Sequence, residues 1–260
     1  MILRRVIEHV RAQNWTAVAL DFVIVVLGVF MGIQLGNWNE ARQADERAGS
    51  YLARLSADLS DNVEGLQARI EYWGHVATYG RRALEYVESD KTDNDVDPWP
   101  LLLAFFSASQ TNQYRAIDTT HDELKSAGEM SLIRDAQLRG DLSAYYELSA
   151  SRADLFYGLN PPYRDLIRGV MPLYFQDHYW AECYDLASDL SKRAQQVPCE
   201  NVLGDDEAQA LLARIVGRPA VIEALRSWVV NMQLAIMIAE QEKAAALALL
   251  ERVNDARASP

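Results

Sequence analysis

One uninterrupted apolar segment constrains this sequence more than any other feature. Residues 17–36 read AVALDFVIVVLGVFMGIQLG, twenty residues in which Asp21 is the one charge and Gln34 the one amide. A helix of about 20 residues, rising about 1.5 Å per residue, crosses the roughly 30 Å of bilayer hydrocarbon. Trp15 and Trp38 flank the segment, as indoles at the two headgroup regions do. The chain is therefore predicted to consist of a tail (1–14), a transmembrane helix (15–38) and a domain (39–260).

Two other interpretations fit this segment less well. A buried core helix seldom stays apolar on every face over such a length. A cleaved signal peptide would have an unusually long n-region of sixteen residues, and no pair of small residues like A-x-A follows in QLGNWNEARQ. We therefore expect an anchor that is retained.

The charges around the segment predict its orientation. Three arginines and one glutamate precede it, whereas two arginines just after it are outweighed by three acidic residues. The flank richer in Arg and Lys stays in the cytoplasm. We expect a bacterial inner-membrane protein in contact with lipid, with a cytoplasmic N-terminus and residues 39–260 in the periplasm.

Three glycines give one face of the predicted span a bare backbone. Gly28, Gly32 and Gly36 recur at four-residue steps, which lets a second helix approach closely, although glycine is also common in membrane helices generally. Asp21, near the same face, either reaches the headgroups or contacts a partner's span. We predict helix–helix contact through these four residues, and hence a homo-oligomer.

The corner Trp38-Asn39-Glu40 ends the span. We predict that Trp38, Asn39 and Glu40 lie at one membrane interface and Trp15 at the other. An anchoring polar cluster and a contact with another protein at the membrane surface both fit this corner.

Two long segments have the spacing of helices that pack lengthwise. Apolar and small residues recur in steps of three and four over 48–87, and again over 222–253 with Lys243 as the polar exception. No proline occurs in 1–97, so the membrane helix can continue outward as one rod. Helix-interior glycines predict bends in this rod, at Gly65, Gly74 and Gly80.

The C-terminal helix is predicted to be a core helix antiparallel to this rod. Its most apolar part, SWVVNMQLAIMIA, has only thirteen uncharged residues, too few to cross a bilayer.

Shorter helices and one irregular segment are expected between the two long helices. The helices are expected near 99–109, 119–127, 135–159, 163–174 and 206–216, and the irregular segment at 176–205. No convincing strand pattern occurs, so the predicted fold class is all-α: a transmembrane helix continuing into a coiled-coil-like helix, packed with a long C-terminal helix and several short ones.

An acidic segment at 89–98 shows D-x-D-x-D at Asp93, Asp95 and Asp97. A calcium loop would need glycine where Pro98 stands and a carboxylate where Ala104 stands, so we expect no metal there. The chain as a whole has 25 basic and 37 acidic side chains, for a net charge of −12. This acidity argues against nucleic acid as a partner.

Both cysteines, Cys183 and Cys199, lie in the irregular segment, sixteen residues apart. Outside the cytoplasm they are expected to form a disulfide worth roughly 3 kcal/mol. Free thiols and a metal site that recruits His178 are the alternatives, but two thiols with one distant imidazole do not match a structural zinc spacing.

Sequence motifs for catalysis are missing: G-x-S-x-G, the P-loop, G-x-G-x-x-G and H-E-x-x-H do not occur. His121, beside two acidic residues, has the chemistry of a general base, but a surface or capping role fits a lone histidine at the start of a short helix better. Four tyrosines at helical spacing indicate packing more than a pocket, namely Tyr145, Tyr146, Tyr157 and Tyr163. We expect no cofactor and no enzymatic activity.

Parts of the chain resemble a known family. These are GVFMGIQLGNWNEAR, the LARLSADL that follows, and HDELKSAGEMSLIRDAQLRGDLSAYYE. They are similar to single-span bacterial inner-membrane proteins whose domain has no known function. That family's pattern of Gln, Trp-Asn-Glu, Leu-Lys-Ser-small-Gly, Ile-Arg and a double tyrosine corresponds here to Gln34, Trp38 to Glu40, Leu124 to Gly128, Ile133, Arg134, Tyr145 and Tyr146. The resemblance implies membrane anchorage and a helical domain, and does not extend to 176–205.

Three classes of function fit these observations. The first is a non-enzymatic scaffold or interaction protein of the envelope, which self-associates through its span and binds another membrane or envelope protein. The second is a ligand-sensing accessory subunit that signals through a partner's transmembrane helix. The third, an enzyme, would require ionisable residues that converge in a pocket.

Overall fold

The computed structural model describes residues 15–89, 96–158, 160–185 and 195–258. The predicted tail, residues 1–14, lies outside the described residues, as do Asp93 and Asp95 of the acidic segment. Two long helices form the frame, α1 (Trp15–Glu88) and α8 (Pro219–Ala258). They are antiparallel, since Glu88 pairs with Arg226 at one end of the contact and Ser56 bonds Asn254 at the other.

In the described part of the chain, six shorter helices complete the domain: α2 (Pro98–Ser107), α3 (Thr119–Ser126), α4 (Ala136–Arg152), α5 (Pro162–Val170), α6 (Leu173–Glu182) and α7 (Asp205–Val216). A 3₁₀ turn occupies Met130–Leu132, and a π-helical turn, Ala153–Tyr157, follows α4. Within the described residues the strand content is one antiparallel pair, β1 (Tyr184–Asp185) with β2 (Gln195–Gln196). The predicted all-α fold class is confirmed.

Local signals explain where several helices begin and end. The Asp97 carboxylate accepts the Trp99 amide at 3.0 Å and caps α2, and Asp135 caps α4 by accepting the Gln137 amide at 2.8 Å. Gly128, with φ of 70°, ends the turn after α3. The predicted cap at Asp135 is therefore confirmed.

The prediction for 163–205 is partly wrong. Helix α5 already ends at Val170, and α6 begins at Leu173 and continues to Glu182 inside the segment predicted to be irregular. Pro172 causes the break, because a proline disfavours helical geometry in the residue before it, and Met171 accordingly has an extended ψ of 130°.

Helix α1 is unbroken over 74 residues, about 110 Å at about 1.5 Å per residue. Two of the glycines at which bends were predicted are places of close approach. A Cβ on Gly80 would overlap Cγ2 of Val229, and one on Gly65 would lie 3.2 Å from the Tyr114 ring, whereas one on Gly74 would meet nothing within 4 Å. Glycine at position 80 therefore lets α8 pack directly on the α1 backbone.

The core consists of two apolar clusters stacked along α1. The proximal cluster, nearer the span, joins α1 from Tyr51 to Leu59 with α3, α4 and the C-terminal half of α8. The distal cluster joins α1 from Leu66 to Leu84 with α2, α5, α6, α7 and the N-terminal half of α8. Two buried polar residues lie between the two clusters, Asn62 on α1 and Glu242 on α8.

Candidate functional site

The predicted span is an apolar helix, and no part of its most apolar 18-residue stretch is buried. This helix is near the N-terminus and has a mean hydropathy of 2.4 in that stretch. Trp15 and Trp38 are 70% and 65% exposed, and Asp21, Asn39 and Glu40 are exposed as well. The structure thus contains a candidate membrane span at the predicted position.

Helix α8 is also long and apolar enough to meet the same criterion, but 39% of its most apolar window is buried. It packs against α1, as the contacts of Gly80 with Val229 and of Gln67 with Lys243 show. This helix is therefore a core helix, as its short uncharged segment predicted.

The three glycines of the span form a strip of bare backbone that no other described residue covers. A Cβ on Gly28, Gly32 or Gly36 would meet nothing within 4 Å. Gly36 precedes Ser56, which bonds Asn254 near the C-terminal end of α8, by 20 residues, about 30 Å at about 1.5 Å per residue. The glycine face therefore lies nearer the N-terminus of α1 than the part of α1 that packs on α8.

Helix α8 carries a second face that is exposed among the described residues, and sequence reasoning missed it; two of its residues, Gln241 and Ala248, also line the groove between α8 and α4. We call it the outer stripe; its residues are Val230, Leu234, Met237, Gln241, Ala244 and Ala248. Val230, Leu234 and Met237 are 59%, 44% and 58% exposed. The steps of four and three between stripe residues are those of a helix that pairs lengthwise with another helix. The signal was present in SWVVNMQLAIMIA, which is apolar on more than the one face that a core helix needs.

A buried carboxylate joins the two clusters of the core. Glu242 is fully buried; one of its oxygens accepts the Ser149 hydroxyl at 2.6 Å and the other accepts the Tyr157 hydroxyl at 3.0 Å. Nη1 of Arg152 lies 3.5 Å from the second oxygen. The π-helical turn after α4 presents Tyr157 to this site, where its ring also stacks on Trp73 at 5.1 Å. The group thus fixes α4 and its π-helical turn to α8.

Glu242 corrects a prediction about the C-terminal helix. Lys243 was identified as the polar exception, but it is only partly buried and bonds Gln67 at 2.7 Å. Glu242 occupies the interior position, three residues after Ala239 and four before Ala246. The regular three- and four-residue step therefore identifies residue 242, rather than 243, as the polar residue on the buried face of the helix.

The predicted aromatic candidates are buried in the core, and two of them, Tyr145 and Tyr157, lie near this carboxylate. Burial, and next the charge of Glu242, raise the pKa of the Tyr145 and Tyr157 hydroxyls above their ordinary range. Tyr146 is buried, and Tyr163 donates its hydroxyl to the Phe105 carbonyl at 2.7 Å. These side chains pack, as their spacing indicated, and their hydroxyls stay protonated at neutral pH.

His121 differs from its predicted surface or capping role. It is only 2% exposed, stacks on Tyr146 at 4.8 Å between centroids, and lies 3.3 Å from the Ser143 hydroxyl through Nε2. Burial lowers its pKa below the ordinary value. The histidine is therefore an element of the packing between α3 and α4.

Cys183 and Cys199 form the predicted disulfide. The sequence spacing indicated that His178 is distant from them, and this is wrong: one of its ring nitrogens and the two sulfurs all lie within 4.8 Å of one another. The fold brings them together because α6 ends immediately before Cys183 and the chain returns to it through the β1–β2 pair.

Comparisons with known proteins give no match for this chain, whether with models of protein families, with curated proteins or with solved structures.

Proposed function

We propose that this chain is a single-pass, non-enzymatic scaffold of the bacterial inner membrane, which self-associates through its span and holds a helical interaction domain in the periplasm. One observation carries the proposal: a single unbroken helix contains both the unburied apolar segment and the central strut of a packed domain. A rigid connection of this kind suits a protein that positions a binding surface at a set height above a membrane.

The two unpartnered faces support a scaffold with two kinds of contact. The glycine face lies on the span, at least 20 residues before the contact of Ser56 with Asn254, and the residues of the outer stripe are exposed along α8. A pair of chains joined through Gly28, Gly32 and Gly36 would therefore leave both outer stripes accessible. One face then serves self-association and the other serves a different membrane or envelope protein.

The first test measures self-association of the full chain in native membranes by chemical cross-linking. Replacing Gly28 and Gly32 by leucine should lower the cross-linked fraction severalfold, because the added side chains separate the helices. Val26→Leu is the matched control, two residues away and on the other side of the helix. Equal cross-linking of the glycine variant and the control would contradict self-association through this face.

The second test asks whether the outer stripe binds a partner. The full chain is purified in mild detergent and the co-purifying proteins are quantified by mass spectrometry. Val230→Glu with Met237→Glu should remove a specific partner while leaving the thermal stability unchanged, because both side chains are exposed. Asn231→Asp, also exposed on α8 and about 100° around the helix from Val230, is the control for added charge. If the stripe variant co-purifies the same proteins as the control, the outer stripe does not bind a partner.

A ligand-sensing accessory subunit is the second candidate. A groove of about 360 Å³ between α4 and α8 supports it, with Tyr145, Arg152 and Arg252 in its lining. A ligand that moves α4 against α8 would act on α1 and thus on the span. Native mass spectrometry distinguishes the candidates: a small molecule bound at one per chain favours sensing, and a bare chain with a bound partner protein favours the scaffold.

A further inference from the structure

Three potential metal ligands converge where the disulfide joins the end of α6 to the returning chain. A nitrogen of His178 and the sulfurs of Cys183 and Cys199 all lie within 4.8 Å of one another. Two thiolates and an imidazole are ligands that Zn²⁺ prefers, at about 2.3 Å for sulfur and about 2.0 Å for nitrogen. Sulfurs at about 2.3 Å from a tetrahedral ion lie roughly 3.8 Å apart, so after reduction the two sulfurs must separate and the imidazole must approach them, both by small side-chain movements.

The cysteines are held in place by bonds that do not depend on the sulfur–sulfur link. The Trp99 indole N–H donates to the Cys199 carbonyl at 3.1 Å, and the Val197 amide donates to the Cys183 carbonyl at 2.8 Å. The Cys183 amide in turn donates to the Tyr179 carbonyl at 3.0 Å, and this bond closes the last turn of α6. A reduced pair of thiols would therefore stay close together.

A backbone carbonyl fixes the tautomer of His178. Its Nε2 lies 2.9 Å from the Glu200 carbonyl, which can only accept, so Nε2 carries the proton and Nδ1 of the neutral ring is the nitrogen that can bind a metal. A backbone carbonyl on one ring nitrogen is the usual way in which the other nitrogen is prepared for a metal. Its ring also lies 6.1 Å from that of Trp99, which restricts its movement.

We propose that Cys183, Cys199 and His178 form a thiol-gated site for one soft or borderline divalent ion, with Zn²⁺ as the expected occupant. A dithiol reductant gives two electrons and two protons to the disulfide, yields two thiols, and is itself oxidised to a disulfide. Binding of the ion then releases two thiol protons to solvent, while the His178 ring supplies its lone pair and water completes four ligands. The oxidised chain has no thiolates and does not bind the ion there.

The site is tested with the full chain in mild detergent, before and after reduction by a phosphine that is removed under argon. Co²⁺ serves as the spectroscopic probe and Zn²⁺ as its competitor. Reduced protein should bind one Co²⁺ per chain with a thiolate-to-cobalt absorption band, and Zn²⁺ should abolish that band. Oxidised protein and the Cys183→Ser, Cys199→Ser double variant should show neither.

Substitution of the histidine decides whether all three residues act together. His178→Ala should weaken Co²⁺ binding at least tenfold, while His75→Ala, which removes an exposed histidine outside the cluster, should leave it unchanged. Far-UV circular dichroism of each reduced variant checks that the helices persist, and His178→Gln repeats the test with a side chain of similar size. Absence of a thiolate band in folded, reduced protein, or equal affinity in both His178 variants and the wild type, would overturn the proposal.

Discussion

Removal of the Glu242 carboxylate should produce a large loss of stability. Glu242→Ala deprives the hydroxyls of Ser149 and Tyr157 of their acceptor and leaves Arg152, whose side chain is 17% exposed, without its partner. Each buried hydroxyl left without a bond costs about 1–3 kcal/mol, and breaking a buried ion pair from one side costs about 3–5 kcal/mol.

Relaxation reduces the sum of these costs. Arg152 also lines the groove between α4 and α8, so its guanidinium can turn toward water once Glu242 is gone. We therefore expect Glu242→Ala to lower the free energy of unfolding by about 4 kcal/mol, the middle of the range for a broken buried pair. For a domain of this size that corresponds to a melting temperature lower by about 8–16 °C.

The assay is thermal and guanidinium unfolding of the full chain in mild detergent, followed by far-UV circular dichroism. Glu240→Ala, an exposed site two residues earlier on α8, is the control and should change stability by less than about 0.5 kcal/mol. Adding Ser149→Ala and Tyr157→Phe to Glu242→Leu should recover much of the loss, because the two hydroxyls that Glu242 accepted are then absent and Arg152 can turn toward water. Equal stabilities of Glu242→Ala and the control would refute the assignment of Glu242 as the group that joins the two clusters.

Three further predictions concern stability. Gly80→Ala should destabilise the chain by about 1–3 kcal/mol, because its Cβ overlaps α8, whereas Gly74→Ala, where the space is open, should stabilise it by up to about 1 kcal/mol in the same melting assay. Burial lowers the pKa of His121 below 6.5, so at mildly acidic pH the unfolded chain binds a proton that the folded chain does not. The free energy of unfolding should therefore fall as the pH drops below about 6.5. His121→Gln should flatten that pH dependence in unfolding titrations. Reduction of Cys183–Cys199 should cost roughly 3 kcal/mol in metal-free buffer, and a Cys183→Ser, Cys199→Ser variant should melt at one temperature with or without reductant.

The frame of the fold could be predicted because its signals are local and repeated. The steps of three and four along 48–87 are a property of α1 alone, and the residues at those steps are buried or half-buried in the structure. The caps of α2 and α4 depend on a carboxylate and the amides two or three residues later. Such patterns need no knowledge of the rest of the chain.

The features that could not be predicted depend on which segments meet. Glu242 finds its hydrogen-bond partners only because α4 and the π-helical turn after it bring Ser149 and Tyr157 to it from about 90 residues away. His178 reaches the two cysteines because Pro172 precedes a new helix, α6, which ends immediately before Cys183. Spacing along the sequence carries no information about either meeting.

The distance between the glycine face and the outer stripe makes the proposed contacts separable. Because Gly36 lies 20 residues, about 30 Å, before Ser56 and its contact with the end of α8, an altered glycine face does not reach a protein bound on the outer stripe of the same chain. The Gly28→Leu, Gly32→Leu variant should therefore lose self-association and still capture the stripe's partner, and Val230→Glu with Met237→Glu should do the reverse. Simultaneous loss of both contacts in folded protein, from either pair of substitutions, would mean that one surface serves both, and the two-face arrangement would then be wrong.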